Sequence, residues 1–265
     1  MAATSGRTWL VRGMIAAVVL VALGFGAVFL YAKVINDGPD AFDDDDLAAK
    51  LTATSLPVAT STTPPLPTVP AVTVADTSVT TTVAPATTTA PAAGPSAWTI
   101  AEGSEVGYRV VEVLVGVDTE GVGRTTQVTG ALTIDGTVLT DASFEVDVAS
   151  ISSDDGRRDG AFRGPIMRAE TYPTATFTLT QPLDLGTEPV DGAEVAVTAH
   201  GELTLREVTR AVDVELTGRM ENGRIGVLGS IPVVFADYGI DNPSTAMVTT
   251  HDDGLLEFVL VFTPT

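Results

Sequence analysis

Polar and apolar side chains alternate in short runs from Val106 to Phe262, and glycine-bearing turns break the runs apart, so this part of the chain has few ways to bury its apolar surface. Val106-Gly-Tyr108-Arg-Val110, Gly130-Ala-Leu132-Thr-Ile134 and Phe144-Glu-Val146-Asp-Val148 each place apolar residues on one face, as half-buried strands do. The pattern returns at Ala175–Leu179, Val195–Val197, Leu203–Leu205, Val212–Leu216, Ile231–Phe235 and Leu256–Phe262. Asp135-Gly136, Asp191-Gly192, Asn222-Gly223 and Asp253-Gly254 read as the turns of tight hairpins. Eight or so strands so linked predict an all-β antiparallel barrel or a sandwich, and periodicity does not separate the two. In a barrel the inward face would carry Val, Leu, Ile and Phe with Tyr108 among them, so an enclosed ligand would be largely apolar.

Texture divides the remainder. Residues 14–32 hold nineteen positions without a charge, about 28 Å as a helix and close to the thickness of a bilayer's hydrocarbon core. A signal peptide is the competing reading. The length of the run and the lack of a clear small-x-small cleavage site favour a retained signal-anchor, a single-pass transmembrane helix. Arg7 and Arg12 precede it and Asp37, Asp40 and Asp43 to Asp46 follow, so residues 1–13 read as cytoplasmic and everything after the span as extracytoplasmic. Residues 33–96 read as an acidic and then Pro/Thr/Ala-rich disordered linker. Its aspartate run reads as a solvated segment, and from Leu51 to Ser96 eight prolines predict a semi-rigid spacer with a limiting reach of roughly 140 Å. Residues 97–265 form the folded domain.

That domain carries 27 acidic residues against 10 arginines and no lysine, a balance that repels nucleic acid. It has no cysteine, no nucleophile elbow and no phosphate loop, and nothing in the spacing of its acids selects a catalytic pair, so no catalytic residue is assigned. His200 and His251 lack companions at metal spacing, and no metal site is assigned either. Asp154-Asp155-Gly156 lacks the ligand spacing of a calcium loop and reads as a turn with a structural ion pair. The least strand-like stretch runs from Arg157 to Pro173. It is too long for a hairpin and long enough for a short helix or lid, and Arg157, Arg158, Arg163 and Arg168 concentrate there.

Several pieces, in order, carry a family likeness: Ser104-Glu-Val106-Gly-Tyr108, Ser150-Ile151 running to Arg158-Asp159, Tyr172-Pro173 with Ala175-Thr-Phe177, Gly201-Glu-Leu203-Thr-Leu205 through Val208-Thr-Arg210, and Asp237-Tyr238-Gly239. Together they resemble the YceI-like family of polyisoprenoid-binding, lipocalin-like barrels, from about Trp98 to Phe262, with departures at Glu112, Phe235 and Ile166-Met167. The resemblance implies an eight-stranded antiparallel barrel with a short helical or looped insertion. It also implies an elongated apolar tunnel holding an isoprenoid, a quinone or polyprenyl chain, in a carrier or sequestering role rather than a catalytic one, with no cofactor. The tunnel would be lined by Tyr108, Val110, Phe144, Val146, Phe162, Ile166, Met167, Phe177, Leu179, Leu203, Val214, Val233, Phe235, Phe258 and Leu260. Arg157, Arg163 and Arg168 would be head-group candidates at its mouth, and Arg158 and Asp159 would pin the loop. The alternative is a stalk-mounted β domain that acts as a cell-surface interaction module with a closed interior.

Overall fold

The computed structural model describes residues 5–30, 38–52 and 94–265. Twelve strands lie among them: β1 (Ser96–Ile100), β2 (Glu105–Leu114), β3 (Val117–Thr125), β4 (Val128–Asp135), β5 (Val138–Asp147), β6 (Thr174–Leu179), β7 (Leu183–Asp184), β8 (Glu194–Leu205), β9 (Val208–Glu221), β10 (Arg224–Val234), β11 (Val248–Thr250) and β12 (Asp253–Pro264). All pairings are antiparallel. Eight of the strands close a ring in the order β1-β4-β5-β6-β8-β9-β10-β12, and β12 returns to β1 through Trp98↔Pro264 and Ile100↔Phe262. A barrel, not a sandwich, is therefore the solution.

Ring closure changes partner along its length. β12 pairs with β1 at its C-terminal end, whereas at its other end Leu255–Val259 pair with Arg109–Glu105 of β2. The hairpin β2–β3 then extends the wall, with Arg124↔Ser152 tying β3 to the segment that follows β5. Strand β3 has no apolar alternation because its inward positions include Gly121 and Gly123. A Cβ on Gly123 would sit 2.5 Å from the Tyr108 ring, so the aromatic occupies the room that a side chain there would need.

Two of the sequence-marked turns join paired strands: Gly136 between β4 and β5, and Asn222-Gly223, both at positive φ, between β9 and β10. Asp253-Gly254 is not a hairpin turn. Both residues lie within β12 opposite Val234 and Val233, because β11 and β12 pair with successive stretches of β2 rather than with each other. Asp191-Gly192 likewise turns between β7 and β8, which do not pair. Val195–Val197 and Leu203–Leu205 belong to the single long strand β8.

A helix, α1 (Ser5–Leu30), covers most of the 14–32 segment, and Val18, Leu20, Leu23 and Phe29 are exposed on it. No helix is long and apolar enough over its described residues to cross a membrane. Tyr31, Ala32 and the side chains of Ile15, Ala16 and Phe25 lie outside the described residues, as do 53–93 of the linker.

The first part of that linker departs from the sequence reading. Asp44–Thr52 forms a second helix, α2, seated on the outside of the barrel. Asp43 caps it: its Oδ1 accepts from the N–H of Asp45 (2.9 Å) and of Asp46 (3.0 Å), and Asp46 Oδ2 accepts from the N–H of Asp43. The aspartate run is largely exposed, as a solvated segment should be, but it forms a helix start, favoured by the positive end of the helix dipole, rather than a spacer. Leu47 and Leu51, one turn apart, are buried against Val259 and Val261 on the outer face of β12.

Candidate functional site

The Arg157–Pro173 stretch folds back over one open end of the barrel. Asp155 caps α3 (Gly156–Ala161) by accepting from the N–H of Arg157 at 2.7 Å, and a π-helical turn, Phe162–Ile166, follows with Pro165 inside it. The wide turn swings Phe162, Ile166 and Met167 inward. Phe162 stacks on Tyr108 with ring centroids 4.6 Å apart. On the opposite side of the rim, Arg206 donates to Gly239 O and Arg210 to Asp237 O. These bonds hold the one-turn helix Phe235–Tyr238 and the chain after it, from which Ile240, Pro243, Thr245, Val248 and Thr250 face inward.

Between these two flanks lies a chamber of about 560 Å³, within the usual range for small-molecule sites. Its walls are mostly apolar, built from Val106, Tyr108, Val110, Val146, Val148, Val233, Phe235 and Leu256 along the strands. The polar groups gather at the rim. Arg158 bonds Asp154 at 2.5 Å and lies 3.7 Å from Glu112, whose carboxyl is pushed above the ordinary range by burial, an effect that Arg158 opposes. Burial also pushes the Tyr108 phenol well above its ordinary value. Thr250 is buried on the wall, and its Oγ1 has no hydrogen-bond partner.

Of the tunnel residues expected from the sequence, Tyr108, Val110, Val146, Phe162, Ile166, Met167, Val233 and Phe235 line this chamber. Phe144, Phe177, Leu203, Val214, Phe258 and Leu260 do not; they are core residues. Phe144 stacks on Phe177 (5.5 Å) and tilts against Phe258 (5.3 Å), forming a solid aromatic layer across the barrel. Each of the three lies on its strand beyond the residues that line the chamber: Phe144 below Val146, Phe177 below Ala175 and Phe258 below Leu256. On the far side of the layer is a second space of about 80 Å³, lined by Leu132, Ile134, Leu139 and Val197 among others. Leu179 is half-buried and lines neither space. The elongated tunnel is thus replaced by one deep chamber with an aromatic floor.

The arginines also divide. Arg157 borders the chamber. Arg163 does not: its guanidinium donates to Ile151 O and lies 3.9 Å from Asp159, which holds it against the loop. Arg168 is exposed in a left-handed turn (φ 51°), where its carbonyl accepts from Thr171 and Tyr172. Arg158 and Asp159 each pin the loop, the latter by accepting from Ser153 N–H and Oγ, both at 2.7 Å. Glu112, Thr250 and the 240–248 wall were not singled out for the chamber, because no alternation marks that wall. Among the described residues no group of three or more His, Asp or Glu side chains comes together to hold a metal.

A closed antiparallel barrel with an apolar chamber open at one rim defines the class of this protein. The YceI-like domain family matches residues 98–262, and the chain belongs to that family. A polyisoprenoid-binding domain from Saccharophagus degradans, implicated in plant cell wall breakdown, shares 21% identity at a TM-score of 0.53, covering 64% of this chain and 99% of that one. BcnA of Burkholderia cenocepacia shares 22% identity at a TM-score of 0.46, over 59% of this chain and 95% of that one. No curated protein matches.

Proposed function

We propose that this protein holds an isoprenoid lipid by its chain in the rim-side chamber, as a non-catalytic carrier or sequestering protein outside the cytoplasm, tethered to the membrane by α1. The observation that carries the reading is the chamber itself: about 560 Å³ with apolar walls, a wet rim and a floor. The Saccharophagus domain, described as polyisoprenoid-binding, supports the ligand class. The tether rests on the sequence, in which residues 14–32 carry no charge. A chamber of this size also favours the lipid-binding reading over a closed-interior interaction module.

The rim favours an uncharged polar head over a phosphate. Asp154 and Glu112 already pair with Arg158, and Asp155 borders the chamber too, so an anionic head would meet Arg157 alone against several carboxylates. Thr250 Oγ1 offers an unmet hydrogen bond to a carbonyl or hydroxyl. The test is mass spectrometry of organic extracts from the purified protein, followed by titration with a prenyl quinone and a prenyl diphosphate of equal chain length. A copurifying isoprenoid, with the quinone bound more tightly, is expected. Absence of any extracted lipid together with no quinone binding would overturn the reading.

A further inference from the structure

Residues 38–52 run along the outer wall from the rim end of the barrel to its far end. At the rim end, Gly38 abuts Val122, which is opposite Arg109, itself opposite the chamber residue Leu255. At the far end, Leu47 and Leu51 sit on Gly226, which faces Val261, six residues further along β12 and about 20 Å away. The fit is close: a Cβ on Gly226 would fall 2.6 Å from Leu47 Cδ1.

Charge holds the segment as well as packing. Glu257, buried on the outer wall, pairs with Arg109 (3.1 Å) and Arg124 (2.9 Å), and these arginines in turn donate to Pro39 O and Asp40 O. Arg124 also lies over the Phe42 ring at 3.9 Å. At the other end Lys50 pairs with Glu105 at 2.7 Å, and Arg224 donates to Lys50 O at the C-terminus of α2, where a cation is favoured.

We infer that residues 38–52 are a strap belonging to the folded barrel, so that the chain between α1 and the barrel is residues 31–37 and the rim end is the end nearest α1. Seven residues reach at most about 25 Å, against the roughly 140 Å that a spacer reading of the linker allows. With α1 in a bilayer, which rests on the reading above, the chamber opens toward the lipid.

The test uses the full-length chain in nanodiscs, with a protease site placed within 53–93. After cleavage the α1-bearing piece and the barrel should remain together through native gel filtration and separate in Leu47→Asp/Leu51→Asp protein, whose barrel keeps its β circular dichroism. Separation of the cleaved parent protein would overturn the strap. Because the chain has no cysteine, single labels at Met247→Cys by the rim and Glu188→Cys at the far end report orientation. Headgroup quenchers should dim the Met247 label more; equal or reversed quenching would overturn the rim-first arrangement. Neither readout depends on lipid in the chamber, so failure here is distinguishable from failure of the lipid reading.

Discussion

At Thr250 a buried hydroxyl faces an apolar chamber without a partner, an arrangement that costs stability on the order of 1–3 kcal/mol unless a ligand satisfies it. Thr250→Val, which keeps the shape, should therefore raise the melting temperature of lipid-free protein while weakening a polar-headed isoprenoid several-fold and leaving a plain hydrocarbon unaffected. Calorimetry and titration read the two effects separately. Glu112 gives a pH dependence. Burial raises its folded-state pKa, so the folded protein binds this proton more tightly than the unfolded chain does. Stability from this site is complete below the unfolded value near 4.3 and is lost as pH rises through the raised folded value. Glu112→Gln should flatten that part of the stability–pH curve, as measured by urea unfolding in a pH series; an unchanged slope would show that Arg158 fully offsets burial. Neither residue announced its role in the sequence. Thr250 is one threonine among many, and the burial of Glu112 depends on Arg158 arriving from a loop forty-six positions later.

Single elements set the rim. The α3 segment with its π-helical turn is the piece whose side chains close the chamber from above, through Ile166 and Met167. Ile166→Asp/Met167→Asp should lower lipid retention in organic extracts while β circular dichroism stays unchanged, and equal retention would make the segment a mere connection. This element was legible in outline, because a charged, glycine-bearing stretch too long for a hairpin had to fold over an end of something. Strands with one apolar face were legible as well. Strand β3 was not, since its inward glycines leave nothing to alternate, and neither was β11, three residues long. Helix α2 was hidden for a different reason: four successive solvated aspartates do not read as a helix start until Leu47 and Leu51 have a surface to meet, and nine residues are too few to hold a helix without it.

For the molecule as a whole, the choice between one tunnel and two spaces decides how long a chain can be held. Phe258 sits where the aromatic floor meets both β10 and β5, touching Phe144 and lying against Gly229. Phe258→Ala should join the 560 Å³ chamber to the smaller space beyond, shifting preference toward longer isoprenoids in a chain-length titration, at a stability cost of about 3–5 kcal/mol. No change in length preference would mean that the layer collapses rather than opens. Periodicity predicted an apolar interior but could not place this floor, because alternation says which residues point inward and not which of them meet across the axis. The strap has a mechanical meaning too. Tension applied through α1 would load the contacts of Leu47, Leu51 and Arg109 in shear before reaching the ring of strands, so the strap would yield first and leave the barrel folded.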